Sequence, residues 1–109
     1  MAKFEVTRRK NGEFQFNLKA NNGEIILTSE GYSRRPSCLN GIASVQKNSQ
    51  DESRFDLKTA KNEKVYFNLI ATNGQIIGTS EMYDDNRGRT NGKKSVMKNA
   101  PGAKVEDLS

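Results

Sequence analysis

The 109-residue chain has no histidine and no tryptophan, one cysteine and two prolines. Without imidazole, no Ser-His-Asp or Cys-His nucleophile can be assembled, and metal sites that need a histidine ligand are excluded. A lone Cys38 rules out an internal disulfide and a thiolate zinc site, and fits a reducing compartment. Long apolar runs are also missing. Mean hydropathy is −0.85, and no stretch approaches the length of a membrane span. The opening Met1–Val6 alternates in polarity like a strand, unlike the apolar run of a secretory leader. These absences lead us to expect a soluble, cytoplasmic protein with no cofactor, no metal and no membrane partner.

Hydrophobic residues still make up 33% of the chain and are spread along it, so the composition indicates a folded domain with a thin core. Eighteen basic residues stand against 13 acidic ones, a net charge of +5. That mild excess is compatible with anionic partners and specifies none.

The dominant feature is an internal repeat. Phe16-Asn17-Leu18-Lys19-Ala20-Asn21-Asn22-Gly23-Glu24-Ile25-Ile26 returns as Phe67-Asn68-Leu69-Ile70-Ala71-Thr72-Asn73-Gly74-Gln75-Ile76-Ile77. Thr28-Ser29-Glu30 and Tyr32 return as Thr79-Ser80-Glu81 and Tyr83; Asn40-Gly41 and Ser44-Val45 return as Asn91-Gly92 and Ser95-Val96. One ungapped offset of about 51 residues aligns them all, with about 21 of 47 pairs identical from Lys3 to Ser49. The chain therefore reads as a single domain, 1–109, of two repeats, 3–53 and 54–108.

Each copy reads as three strands and a helix. In repeat 1 the strands are Phe4–Thr7, Phe14–Ala20 and Glu24–Thr28, with turns at Asn11-Gly12 and Asn22-Gly23. Ser33–Asn48 suits a helix with Pro36 near its start and Ser33 or Ser37 as cap. Cys38, Ile42 and Val45 fall on one helical face. Gly41 and Gly92 sit inside the helices, explained either by close approach to the sheet or by inheritance through duplication. Residues 103–108 align with 52–57, so a strand is expected after each helix, around Phe55 and at the C-terminus. One such module is too small to bury much surface. The expected fold is α+β: two β-β-β-α(-β) repeats forming one antiparallel sheet with both helices on one face.

The string Phe-Asn-Leu-x-Ala-x-Asn-Gly-x-Ile-Ile, then Thr-Ser-Glu-x-Tyr, then Asn-Gly and Ser-Val-x-Lys-Asn, resembles the YegP-like family of uncharacterised bacterial proteins over nearly the whole chain. The resemblance implies modules paired into one sheet with exchanged terminal strands, within the chain for a tandem member. It implies no activity and supplies no functional residues. The sequence departs from the module pattern in the second helix, where Arg89 and Lys93 replace Cys38 and Ile42.

Thr-Ser-Glu-x-Tyr invites a catalytic reading, but a serine nucleophile needs a base, and Glu30 with neither His nor Lys leaves the set incomplete. The structural reading is preferred: Thr ends a strand, Ser and Glu bond the loop, and Tyr packs on the helix. Asn17 and Asn68 are read in the same way, as strand polar groups. Glu81, Asp84 and Asp85 lack the spacing of a calcium loop and read as helix N-terminal acids. Basic residues concentrate in the second copy: residues 3–53 carry 8 basic and 6 acidic, residues 54–104 carry 10 and 5. Arg87, Arg89, Lys93 and Lys94, with Lys98 nearby, are the candidate anion or nucleic-acid site, since cations can hold phosphates without reading sequence. The leading expectation is a non-enzymatic binding or stress-associated module, monomeric through intrachain pairing, with a protein or small-ligand partner. The alternative is an accessory nucleic-acid binder using the basic second helix.

Overall fold

A computed structural model describes residues 2–109. The element order is β1 (Lys3–Arg8), β2 (Phe14–Lys19), β3 (Ile25–Thr28), α1 (Arg35–Asn48), a 3-10 turn (Glu52–Arg54), β4 (Phe55–Thr59), β5 (Val65–Ile70), β6 (Ile76–Thr79), α2 (Asn86–Asn99) and β7 (Lys104–Asp107). Alternating residues of β2 make its two faces: Phe14, Phe16 and Leu18 are buried, and the residues between them are half-exposed. Asn-Gly turns close the hairpins, with Gly12, Gly23 and Gly74 at positive φ. At the fourth equivalent position Glu63 adopts φ 70°, a conformation an L-residue takes at a cost of about 1 kcal/mol.

The sheet order is β4-β5-β6-β3-β2-β1-β7. The repeats meet at β3 and β6, whose register partners are the equivalent residues Thr28 and Thr79. The pseudo-two-fold axis therefore passes through this pair. Near the axis two equivalent side chains would compete for one space, and the repeat breaks its symmetry there. Leu27 is fully buried, and its equivalent is Gly78. A Cβ on Gly78 would lie 2.6–2.7 Å from Leu27 Cδ2 and Cγ.

One cluster forms the core, drawing on both helices and on strands from both repeats. Phe4 packs edge-on to Phe16 at 5.7 Å, and Phe55 to Phe67 at 5.4 Å. Cys38, Ile42 and Val45 are buried as expected from their helical spacing. The radius of gyration, 13.1 Å, matches the ~13 Å of a compact domain of about 100 residues.

The structure corrects several details. Neither Ser33 nor Ser37 caps α1; Arg34 holds the N-cap position without a side-chain bond, and Pro36 lies in the first turn. The proline's fixed φ supplies the preorganisation and removes one donor that would need a cap. The strand around Phe55 does not trail repeat 1: as β4 it pairs antiparallel with β5 and opens repeat 2. The sheet is mixed, because β7 runs parallel to β1. Only one terminal strand is exchanged, from repeat 2 to the edge of repeat 1. The reverse exchange cannot form, because the chain after α1 is already used as β4.

Candidate functional site

The repeated polar motif is built into the scaffold. Ser29, 5% exposed, accepts from the Phe16 N–H through Oγ at 2.9 Å and donates to the Glu30 carbonyl at 2.8 Å. Ser80 makes the same two bonds with Phe67 and Glu81. These hydroxyls stitch the end of the third strand to the second, where a nucleophile would need a free lone pair facing a substrate. Tyr32 stacks on Phe16, its burial pushes its phenol above the ordinary value, and its hydroxyl sits against Gly41. Tyr83 faces Gly92 equivalently. Close approach, here of a tyrosine to the helix, thus explains both helical glycines. Asn68 is buried and accepts from Thr79 Oγ1 at 2.8 Å. Asp85 is the N-cap of α2, bonding the Gly88 N–H at 2.8 Å, as the helix-terminal reading expects, whereas Asp84 pairs with Lys64, just before β5.

The candidate cations do not form one cluster. A helix turns about 100° per residue, so positions 87, 94 and 98 share a face, whereas 89 and 93 lie on the opposite side. Arg89 leans over β4, donating to the Lys58 carbonyl and to Asn86 Oδ1, each at 3.0 Å. Lys93 is half-buried and lies 3.7 Å from Glu52. Arg87, Lys94 and Lys98 are exposed, and among the described residues none of the three has an acidic partner.

Lys94 and Lys98 border a groove of about 380 Å³ between α2 and the β2–β3 turn. Asn91, Ser95 and Asn99 line the helix side, and Ala20, Asn21 and Asn22 line the turn. Asn99 is held by Ser95 through its carbonyl and hydroxyl, and Asn22 Oδ1 accepts from the Glu24 N–H, which fixes the turn. The groove thus joins the turn of one repeat to the helix of the other. Sequence reading missed the turn asparagines, because nothing local links Asn21 to a helix some 70 residues away. The equal phase of 87, 94 and 98 was the signal available for splitting the basic set. A second hollow, about 580 Å³, lies by Glu30, Tyr32 and the β5–β6 turn and carries no cation.

Residues 10–56 and 60–107 each match the family described as a domain of unknown function, DUF1508. The chain belongs to this family. It is 52% identical over 106 residues to a UPF0339 protein of Acinetobacter baylyi, covering 97% of this chain and 96% of that one. It is 49% identical to the UPF0339 protein YegP of Yersinia pestis, covering 97% and 95%. The solution structure of a UPF0339 protein from Shewanella oneidensis superposes with TM-score 0.93 at 50% identity, over 98% of this chain and 91% of that one. The solution structure of yegP from E. coli, described as of unknown function, gives TM-score 0.94 at 48% identity over 98% and 92%. The family and its two-repeat α+β fold are therefore those that the motif string indicates, and these DUF1508 relatives carry no stated activity.

Proposed function

We propose that the protein is a non-enzymatic, monomeric, cytoplasmic binding module that engages an anionic partner through the outer face of α2. The observation that carries this reading is the groove itself. It gathers Lys94 and Lys98, neither with an acidic partner among the described residues, beside amide groups that can donate to oxygen anions. The repeated Ser and Tyr hydroxyls are committed to the scaffold, which leaves the exposed cations of α2 as the distinctive chemistry; Lys94 stands where repeat 1 has Ala43, and Lys98 is shared with Lys47. No helix of the described residues is long and apolar enough to cross a membrane.

A nucleic-acid strand is a second reading, favoured by the row Arg87, Lys94, Lys98. It extends about 16 Å along the helix at 1.5 Å per residue, enough to follow a phosphate backbone. Three such contacts predict a salt slope of about −2, or about a 20-fold loss of affinity between 50 and 200 mM salt. Affinity for tripolyphosphate and for a single-stranded oligonucleotide, measured at both salts, tests both readings. Binding that disappears in Lys94→Ala/Lys98→Ala supports the groove. Binding unaffected by that double variant, or none to either probe, refutes it. An oligonucleotide preference with the stated slope selects the second reading.

A further inference from the structure

The two edges of the sheet are related by the repeat, yet only one is covered. At the first edge β7 lies parallel to β1, Phe4 opposite Val105 and Val6 opposite Asp107, and Leu108 donates to the Val6 carbonyl at 2.8 Å. At the second edge β4 is the last strand. Its outward backbone groups follow from the ladder. Phe67 pairs with Ser80 across to β6, so Tyr66 and Asn68 face β4 and bond Lys58 and Asp56. Phe55, Leu57 and Thr59 therefore turn their backbones outward. The Phe55 N–H closes the preceding turn onto the Glu52 carbonyl. The Phe55 carbonyl, both Leu57 groups and the Thr59 N–H have no described partner.

Side chains on the helix face repeat the contrast. Val6, under the covering strand, is fully buried, and its equivalent Leu57 is 51% exposed. The helix above differs in the same sense. Cys38 and Ile42 are buried, Cys38 close enough to Asp107 of the covering strand for that charge to act on its thiol, and their equivalents in α2 are Arg89, which reaches the Lys58 carbonyl of β4, and Lys93, beside Glu52. At the covered edge Arg35 anchors the strand, with Nε 3.1 Å from Asp107 Oδ2. The residue equivalent to Arg35 is Asn86, and Arg89 Nη2 lies 3.0 Å from its Oδ1. A guanidinium therefore stands beside the position from which Arg35 holds an acid at the other edge.

We propose that the β4 edge is a docking site for an extended acidic segment of a partner protein, added parallel to β4. The segment places an apolar residue against Phe55 and, two residues on, a carboxylate beside Leu57 facing Arg89. Backbone pairing supplies attachment, and alternate side chains supply selectivity. β7 shows the sequence type that this architecture accepts on the equivalent edge: Val105 and then Asp107. The surface is separate from the α2 groove, so either can fail without the other.

The probe is a synthetic peptide with the sequence Ala103–Ser109, acetylated and carrying an N-terminal nitroxide. It is titrated into the 15N-labelled full chain, a diamagnetic peptide serving as reference. Saturable amide shifts at Phe55–Thr59 and Arg89 are expected, with nitroxide broadening strongest at the Phe55 end, as a parallel strand requires. Arg89→Ala and a peptide with Asn for its aspartate should each weaken binding at least about fivefold, the loss of one charge-assisted bond. Combining them should cost no more than either alone. The proposal is overturned by shifts confined to Lys3–Arg8, which mean exchange with β7. Broadening strongest at Thr59, β4 shifts that depend on protein concentration alone, or no saturable shift by about 2 mM peptide each overturn it as well, the last being affinity too weak for a site.

Discussion

Gly78→Ala should destabilise the protein, although glycine within a strand ordinarily costs about 0.5–1 kcal/mol relative to alanine. The reason is Leu27. The added methyl would stand 2.6 Å from Cδ2 and 2.7 Å from Cγ of a side chain with no exposed surface. Ordinary carbon contacts lie near 3.5–4.0 Å, so the isobutyl group must move within a close-packed core. Overpacking of this kind costs about 1–3 kcal/mol. Set against the backbone gain, the net loss is about 1–2 kcal/mol, or about 4–12 °C in Tm for a chain of this size. Leu27→Ala alone should cost about 2–5 kcal/mol by leaving a cavity. The double variant should lose clearly less than the two singles combined, because the methyl added at position 78 enters the space that Leu27 vacates. Urea unfolding of all four proteins measures the cycle. A Gly78→Ala protein at least as stable as the parent, or strictly additive losses, would refute the shared-volume account of the repeat junction.

Gly92→Ala should likewise cost about 1–2 kcal/mol in urea unfolding, despite a helix-propensity gain of about 1 kcal/mol, because the methyl meets the Tyr83 ring and hydroxyl. Glu63→Gly should raise the urea midpoint by about 0.5–1 kcal/mol of stability by relieving the left-handed backbone at φ 70°. Bonds from the Ser109 hydroxyl and N–H, and then Arg35, hold the Asp107 carboxyl below its ordinary range. Its contribution is present above the unfolded value and disappears as pH falls through the folded one, so amide protection of Lys104–Leu108 should be lost at acid pH before that of β2. Burial, and secondarily Asp107, push the Cys38 thiol up, so a thiol reagent should modify it far more slowly in native than in denatured protein.

Much of the architecture could be read from period and repeat. Phe14, Phe16 and Leu18 alternate into the core, and Cys38, Ile42 and Val45 occupy one helical stripe, because spacing decides which side chains share a face. The symmetry-breaking features were less legible. Residues 103–108 align with 52–57, but alignment does not say that one segment starts a hairpin and the other closes the far edge in parallel. The difference arises because only the first is followed by another strand of its own repeat. The substitutions at Arg89 and Lys93 were visible without their cause. They cover an edge that lacks a seventh-strand equivalent, where long stems can lie on apolar surface and keep their charged ends in water. At the candidate site, Lys94 was identified among the cations, but its neighbours Asn21 and Asn22 come from the other repeat and required the fold.

The central claim is that the repeated serine and tyrosine hydroxyls build the scaffold and that the exposed cations of α2, with the amides beside them, make the contact surface. Amide shifts of the 15N-labelled chain on titration with tripolyphosphate test it most directly. The account predicts saturable shifts clustered at Asn21, Asn22, Asn91, Lys94 and Lys98, with Ser29, Ser80 and their strand partners unmoved. Shifts centred on Ser29–Tyr32 or Ser80–Tyr83, or absent from the α2 groove, would contradict it.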